Sequence, residues 1–212
     1  VSLPTTFDSL FARHAGQIPV AYLRALSKRE SNMNPNAANP GGADAAKGIL
    51  QVVGVLRNDY NKRTGANYQP EDMFNPEINV KIAAWLINSI VTAYGKHPDP
   101  NMKMNWANPE FVKLVTAGWN AGFSEGGGVG KVARYLEQQG QPVTLAAVSA
   151  AAPAAGGSKW LAMAPRVQWH ESVAKLFYEQ PDWGKRAAGA GVIVLLLGAA
   201  VGVFLYLRSK RA

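Results

Sequence analysis

The 212 residues include no cysteine, which excludes disulfides and thiolate-held metals. Histidine is scarce: His14, His97 and His170 stand far apart with no ligand spacing, so neither a metal nor a cofactor is expected. Acidic residues are outnumbered 14 to 22 by basic ones, giving a formal net charge of +8. That excess favours anionic surroundings such as phospholipid, wall polymer or nucleic acid without choosing among them. Several of the charges flank a hydrophobic run, and no specific nucleic-acid recognition is expected. Residues 1–18 lack the basic stretch and apolar run of an export signal. A phosphate loop is missing too. In the stretch Glu125 to Val132, the pattern's first glycine is Glu125 and its hydroxyl residue after Lys131 is Val132. What remains is ordinary apolar material, 48% of the chain, enough for one domain and an appendage.

The chain is organised around Arg29-Glu30-Ser31-Asn32-Met33-Asn34-Pro35. Pro19 opens a helix whose apolar residues recur at Val20, Leu23 and Leu26, and Asn34-Pro35 is expected to stop it. Glu30 then lies in the last turn, facing a loop rich in turn formers from Asn36 to Lys47. A carboxyl held in a cleft with a raised pKa can act first as acid and then as base. Taken alone, it is more often a solvated surface charge. A helical pattern runs on through Ile49, Leu50, Val53, Leu56 and Tyr60. Asn75-Pro76 and Asn108-Pro109 each combine an N-cap with a first-turn proline, followed by apolar stripes. A further helix is expected over about Val129 to Gln139, closed by Gly140.

Five stretches follow one another: Glu30-Ser31-Asn32-Met33-Asn34-Pro35, Gly48-Ile49-Leu50-Gln51, Asn75-Pro76-Glu77-Ile78-Asn79, Ala117-Gly118-Trp119-Asn120-Ala121-Gly122 and Lys131 to Leu136. In this order and spacing the chain resembles the lytic transglycosylases of the soluble-transglycosylase (SLT) type, within the lysozyme superfamily. The resemblance covers roughly residues 15–140. It implies a mainly α, lysozyme-like (goose-type/transglycosylase) fold with Glu30 as the catalytic acid. It also implies that Ser31 orients Glu30 or polarises substrate, that Gln51 and Asn120 hold sugar polar groups, and that the hydroxyl of Tyr135 supports the acid. Read without the resemblance, Gln51 is a helix-surface polar residue and Tyr135 a core tyrosine. The sequence departs from the family at Ala83, where glycine is usual, and at Leu86, where a cleft tyrosine is usual. Trp119 stands where the family usually has tyrosine, keeping the ring as a substrate-binding surface and losing the hydroxyl.

By resemblance, the reaction cleaves the β-1,4 bond between N-acetylmuramic acid and N-acetylglucosamine. The muramic C6 hydroxyl attacks C1, closing a 1,6-anhydro ring with no water consumed. One carboxylate suffices for that, whereas hydrolysing glycosidases pair two, about 5–5.5 Å or about 6.5–9.5 Å apart. Two alternatives stand beside it. A goose-type lysozyme would hydrolyse, with Asp44 holding the water; an inactive membrane-anchored structural protein would do neither.

The expected domain ends at 145. Residues 146–158, nearly all Ala, Gly, Pro and Ser, read as a low-complexity linker. Residues 159–186 carry Trp160, Trp169, Phe177, Tyr178 and Trp183 among basic residues, the composition of a juxtamembrane segment at the bilayer interface, or of a protein-docking helix. Residues 187–207 are 21 uncharged residues, enough to span about 30 Å as a transmembrane helix, and 208–212 form a basic tail. Lys175, Lys185 and Arg186 balance Arg208, Lys210 and Arg211, so charge does not set the orientation. The expected partners are peptidoglycan, a membrane, and virion or genome-delivery proteins. A wall enzyme without an export signal fits a phage virion protein acting in the host envelope; the alternative is a bacterial inner-membrane enzyme facing the periplasm.

Overall fold

The computed structural model describes residues 2–183, which are α-helical with short 3-10 turns and two isolated β-bridges. Helix α2 (Val20–Ser31) forms the centre, with every residue from Val20 to Ser27 buried. A helix segment buried on every side needs neighbours on every side. They are α1 (Asp8–His14) and α9 (Ala164–Tyr178), packed along it, and α5 (Pro109–Ala121), joined to it through Tyr22–Thr116 and Trp119–Glu30. The charge within this core, Arg24, is 2% exposed and compensated on both sides, by Asp8 and by Asp182 at 3.0 Å. Helix α2 ends at Asn32, whose φ of 58° takes the left-handed turn. The amides of Asn32 and Met33 reach back to the carbonyls of Lys28 and Ser27, so the stop comes earlier than Asn34-Pro35 predicts. Glu30 keeps its expected place in the last turn.

The two asparagine-proline starts behave as their chemistry dictates. Asn75 Oδ1 accepts from the Glu77 amide at 2.9 Å to open α4 (Pro76–Tyr94), and Asn108 Oδ1 accepts from the Glu110 amide at 3.0 Å to open α5. Of the stripe expected on α4, Ile82 and Ile90 are fully buried and Ile78, Trp85 and Leu86 partly so; Phe111, Leu114 and Val115 on α5 are fully buried. Helix α6 (Val129–Gln138) matches expectation and turns out through Gly140 at φ 64°. By contrast, α3 runs only over Gly54–Thr64. Ile49 and Leu50, assigned to a helix by periodicity, lie instead in a tight turn between the bridges of Lys47 with Ala38 and Val52.

Beyond residue 145 the structure departs most from expectation. The expected linker folds as α7 (Leu145–Ala151), capped by Thr144, whose hydroxyl accepts from the Ala147 amide at 3.1 Å. Alanine is the best helix former, and small residues let α7 and the following turn lie close against α6. Val148 and Ala152 are buried, and a Cβ on Gly157 would come within 2.6 Å of Val132. The expected juxtamembrane segment becomes α8 (Lys159–Ala162) and α9, the latter packed along α2 and α5. Phe177 is fully buried among Tyr22, Trp106 and Trp183, with centroids at 6.0, 6.3 and 5.4 Å. Burying such a ring stabilises the fold by about 1.5–3 kcal/mol. Trp169, Tyr178 and Trp183 also pack on the core, leaving only Trp160 of the five aromatics exposed. The run 187–207 and the tail 208–212 lie outside the described residues, among which no helix is long and apolar enough to cross a membrane.

Candidate active site

A cleft of about 760 Å³ opens beside the end of α2. Its lining comes from the whole length of the domain: Glu30 from α2, Gln51 from the tight turn, Val55 and Asp59 from α3, Leu86 from α4, Trp119 and Asn120 from α5, and Trp160 and Arg166 from α8 and α9. Glu30 is partly buried in the wall. Desolvation pushes its pKa from 4.5 up to about 7. Two groups pull the other way: the Trp119 indole N–H, which donates to Glu30 Oε1 at 2.6 Å, and the Arg166 guanidinium acting through space. Burial wins, so near neutrality the carboxyl carries a proton for about half the time. With Oε1 taken by the indole, Oε2 is the oxygen left to present that proton.

Trp119, which lacks the hydroxyl of the usual tyrosine, supplies through its indole N–H a donor to the acid. The support assigned to Tyr135 comes from this indole instead. Tyr135 stands half-buried on α6, outside the cleft lining. The tyrosine within electrostatic reach of Glu30 is Tyr22, on the same helix, buried and hydrogen-bonded to Thr116 at 3.0 Å.

Ser31, expected to orient Glu30 or polarise substrate, makes its hydrogen bonds to backbone groups. Its hydroxyl donates to the Ile49 carbonyl at 2.8 Å and accepts from the Asn34 amide at 3.0 Å. It thus ties the end of α2 to the turn carrying Gln51. Asn79 holds that turn from below: its Oδ1 accepts from the Leu50 amide at 2.9 Å, and its Nδ2 donates to the carbonyls of Lys47 and Met73 at 2.8 and 2.9 Å. Gly48 sits at φ 79°, and a Cβ there would lie 2.1 Å from the Met73 carbonyl oxygen, so only glycine fits. Gln51 is itself left-handed, at φ 47°, and spends its amide hydrogens on the carbonyls of Ala37 and Gly48. It lines the cleft as expected, with only its oxygen to offer substrate.

Asn120 also lines the cleft, but not as a free donor and acceptor. Its Oδ1 lies 3.3 Å from Nε2 of His170, a fully buried residue of α9. Burial, then the nearby Arg166 charge, pushes the His170 pKa down to about 4, so the ring is neutral. Its Nδ1 is buried with no partner among the described residues. A proton on Nδ1 would be a buried unpaired donor, so it belongs on Nε2, donating to Asn120. The Asn120 oxygen is thereby engaged, and its amide hydrogens are what the cleft receives.

Of the other acids, Asp44 is exposed on a 3-10 turn, packs on Gly54, and does not line the cleft. Asp59 does, but Arg63 holds both its oxygens, at 2.9 and 3.0 Å. Leu86, the replacement for a cleft tyrosine, presents an apolar surface there, and Ala83 is wholly buried. Arg166, His170 and Trp160 were not found from motifs. A signal existed: His170, Val173, Ala174 and Phe177 have the spacing of a core-facing helix, and Arg166 lies one turn before His170 on that face. Among the described residues no group of three or more His, Asp or Glu is placed to hold a metal ion.

Three comparisons bear on this arrangement. No curated protein matches the chain. Solved structures share its fold. The 70 kDa soluble lytic transglycosylase of Escherichia coli matches with a TM-score of 0.54 and 18% identity, over 85% of this chain and 26% of that one. A 70 kDa soluble lytic transglycosylase in complex with bulgecin A gives 0.57 and 19%, over 82% and 24%. Lytic transglycosylase Slt of Pseudomonas aeruginosa, solved as an inactive glutamate-to-glutamine mutant, gives 0.56 and 13%, over 82% and 24%. The chain thus spans about a quarter of the length of these structures. The model of the transglycosylase SLT domain matches residues 9–141, more than half the chain and the part that holds Glu30, Gln51, Trp119 and Asn120. The chain belongs to the transglycosylase SLT domain family.

Proposed function

We propose that this protein is a peptidoglycan lytic transglycosylase with Glu30 as its acid and base. The observation that carries the proposal is one partly buried carboxyl, held near pKa 7 in a cleft whose other carboxylate is occupied by Arg63. Protonated Glu30 gives its proton to the oxygen linking N-acetylmuramic acid to N-acetylglucosamine, and the C1–O bond breaks as positive charge develops at C1. The carboxylate, stabilised by the Trp119 N–H, then takes the proton of the muramic C6 hydroxyl. The C6 oxygen closes on C1, forming the 1,6-anhydro ring and restoring Glu30 to its starting state. Asn120 donates to the sugar from an amide fixed by His170, and Gln51 accepts.

A lysozyme would need a second carboxylate free to activate water. Asp44 is outside the cleft and Asp59 is engaged, which favours the transglycosylase. Membership of the SLT family and solved lytic transglycosylases with the same fold support the same reading. The finer setting belongs to the proposal too: attachment to a membrane through 187–207 and local wall opening for genome delivery by a virion. What supports it is a wall-cutting fold on one chain with 21 uncharged residues. Flotation of the full chain with liposomes, lost when 187–207 is deleted, tests the attachment.

The activity is tested by digesting purified peptidoglycan with the full chain and reading the products by mass spectrometry. Anhydromuropeptides are expected, falling roughly 10³-fold in Glu30→Gln, within the range of a positioned acid–base group. Reducing ends in place of anhydro ends would make the protein a lysozyme, and a folded protein giving no product would remove the enzymatic reading.

A further inference from the structure

Arg166 is the one cationic side chain among the described residues that line the cleft. It is only partly exposed, and its guanidinium makes no hydrogen bond or ion pair among the described residues. Its contact is with Trp160, whose ring it overlies at 5.1 Å, while Lys159 approaches the same ring at 5.2 Å. Trp160 is 40% exposed and lines the cleft as well. Both residues come from α8 and α9, past the segment that matches the family model.

An arginine held on an aromatic face with its donors uncommitted is arranged for a planar anion, since the guanidinium fork matches a carboxylate. Its surroundings do not consume that capacity. Glu30 lies within electrostatic reach but gives its Oε1 to Trp119, and His170, the titratable group one turn along α9, is buried and neutral. The part of the indole that the two cations leave exposed is an apolar surface beside the guanidinium, against which a sugar ring can pack.

We infer that Trp160 and Arg166 form a binding subsite for a sugar carrying a carboxylate-bearing substituent, with Arg166 selecting the charge. The inference deepens the proposed function and rests on it. In a wall glycan two sources supply the carboxylate: the free lactyl group of a muramic acid stripped of peptide, or the acids of an attached stem peptide. The subsite is thus a specificity determinant, separate from the proton transfer at Glu30.

The test uses the full chain carrying Glu30→Gln, so that binding is read without turnover. Its affinity is measured calorimetrically for glycan strands with free lactyl groups, for peptide-bearing strands, and for each after methyl esterification. Esterification is expected to weaken binding about tenfold in one of the two series, the scale of one charge-assisted hydrogen bond. Adding Arg166→Gln should reduce that penalty to less than twofold, and Arg166→Lys should restore part of it. The series that responds names the source of the carboxylate. If esterification costs the same with and without Arg166 in both series, the inference is overturned. Absence of anhydro products from the unmodified protein would instead overturn the proposed activity, and the binding ratios would still decide the subsite.

Discussion

Residues 9–141 and the helices that follow them were written in different kinds of sequence, yet they fold as one body. The first region carries motifs whose chemistry is local: an asparagine before a proline caps a helix, a glycine with positive φ makes a turn. The second is capped too, by Thr144 and Ser158, but its bulk is alanine followed by aromatics scattered among basic and polar residues. Composition of that kind suits a linker or a bilayer interface as well as it suits close packing. What decides is the partner. Phe177 meets Tyr22 of α2, and it and Val173 are wholly buried where α9 packs along α2 and α5. The second region also reaches into the site, since Arg166 acts on Glu30 and His170 orients Asn120.

The severest way to break this comparison is to end the chain at residue 145. A self-sufficient first region would still unfold cooperatively. The packing of α9 on α2 and α5 predicts that it will not, leaving no sharp thermal transition by circular dichroism. Phe177→Ala asks the same question in the intact chain. Removing a fully buried ring from an aromatic cluster should cost about 3–5 kcal/mol in denaturant unfolding, whereas an interfacial aromatic would cost almost nothing.

The acid sits where the two regions meet, so its titration sharpens the comparison. The folded pKa of Glu30 is raised from 4.5 to about 7, so the native state holds the proton more tightly than the unfolded chain. Stability therefore falls as pH rises through that interval, and the penalty is complete above it. Glu30→Gln should stabilise the protein at pH 8 by about 3 kcal/mol and change it little at pH 4, as urea titrations at the two values would show. Last and smallest, Gly157→Ala places a Cβ 2.6 Å from Val132. It should cost about 1–2 kcal/mol, against no loss in a solvated linker.

How much could be read in advance follows the same division. Glu30 in the last turn of α2 and both capped helices were legible because each depends on neighbours in sequence, whereas the cleft positions of Gln51 and Asn120 were legible only through the family resemblance. The exact stop at Asn32 and the turn at Ile49-Leu50 were not. The stop rests on the left-handed turn at Asn32 and the short reach of its amide and that of Met33; the turn depends on Ser31 and Asn79, whose bonds to Ile49, Leu50 and Lys47 span 18 to 32 residues. Trp119 was identified, but not the direction of its N–H. Tyr135 matched a motif position, yet α6 leaves it outside the cleft. Arg166 and His170 belong to no motif at all; only the helical spacing of α9 hinted at the face they share.

The most direct measurement of the central claim, that a single carboxyl is held poised between acid and base, is the titration of Glu30 itself. Glutamate labelled with ¹³C at the carboxyl can be followed by NMR in the full chain, with Glu30→Gln assigning the resonance. A midpoint at about 7 is predicted, from burial that outweighs the indole donor and Arg166. A midpoint near the ordinary 4.5 would mean that the carboxyl is solvated and ionised at neutral pH, and Glu30 would lack the proton the reaction begins with.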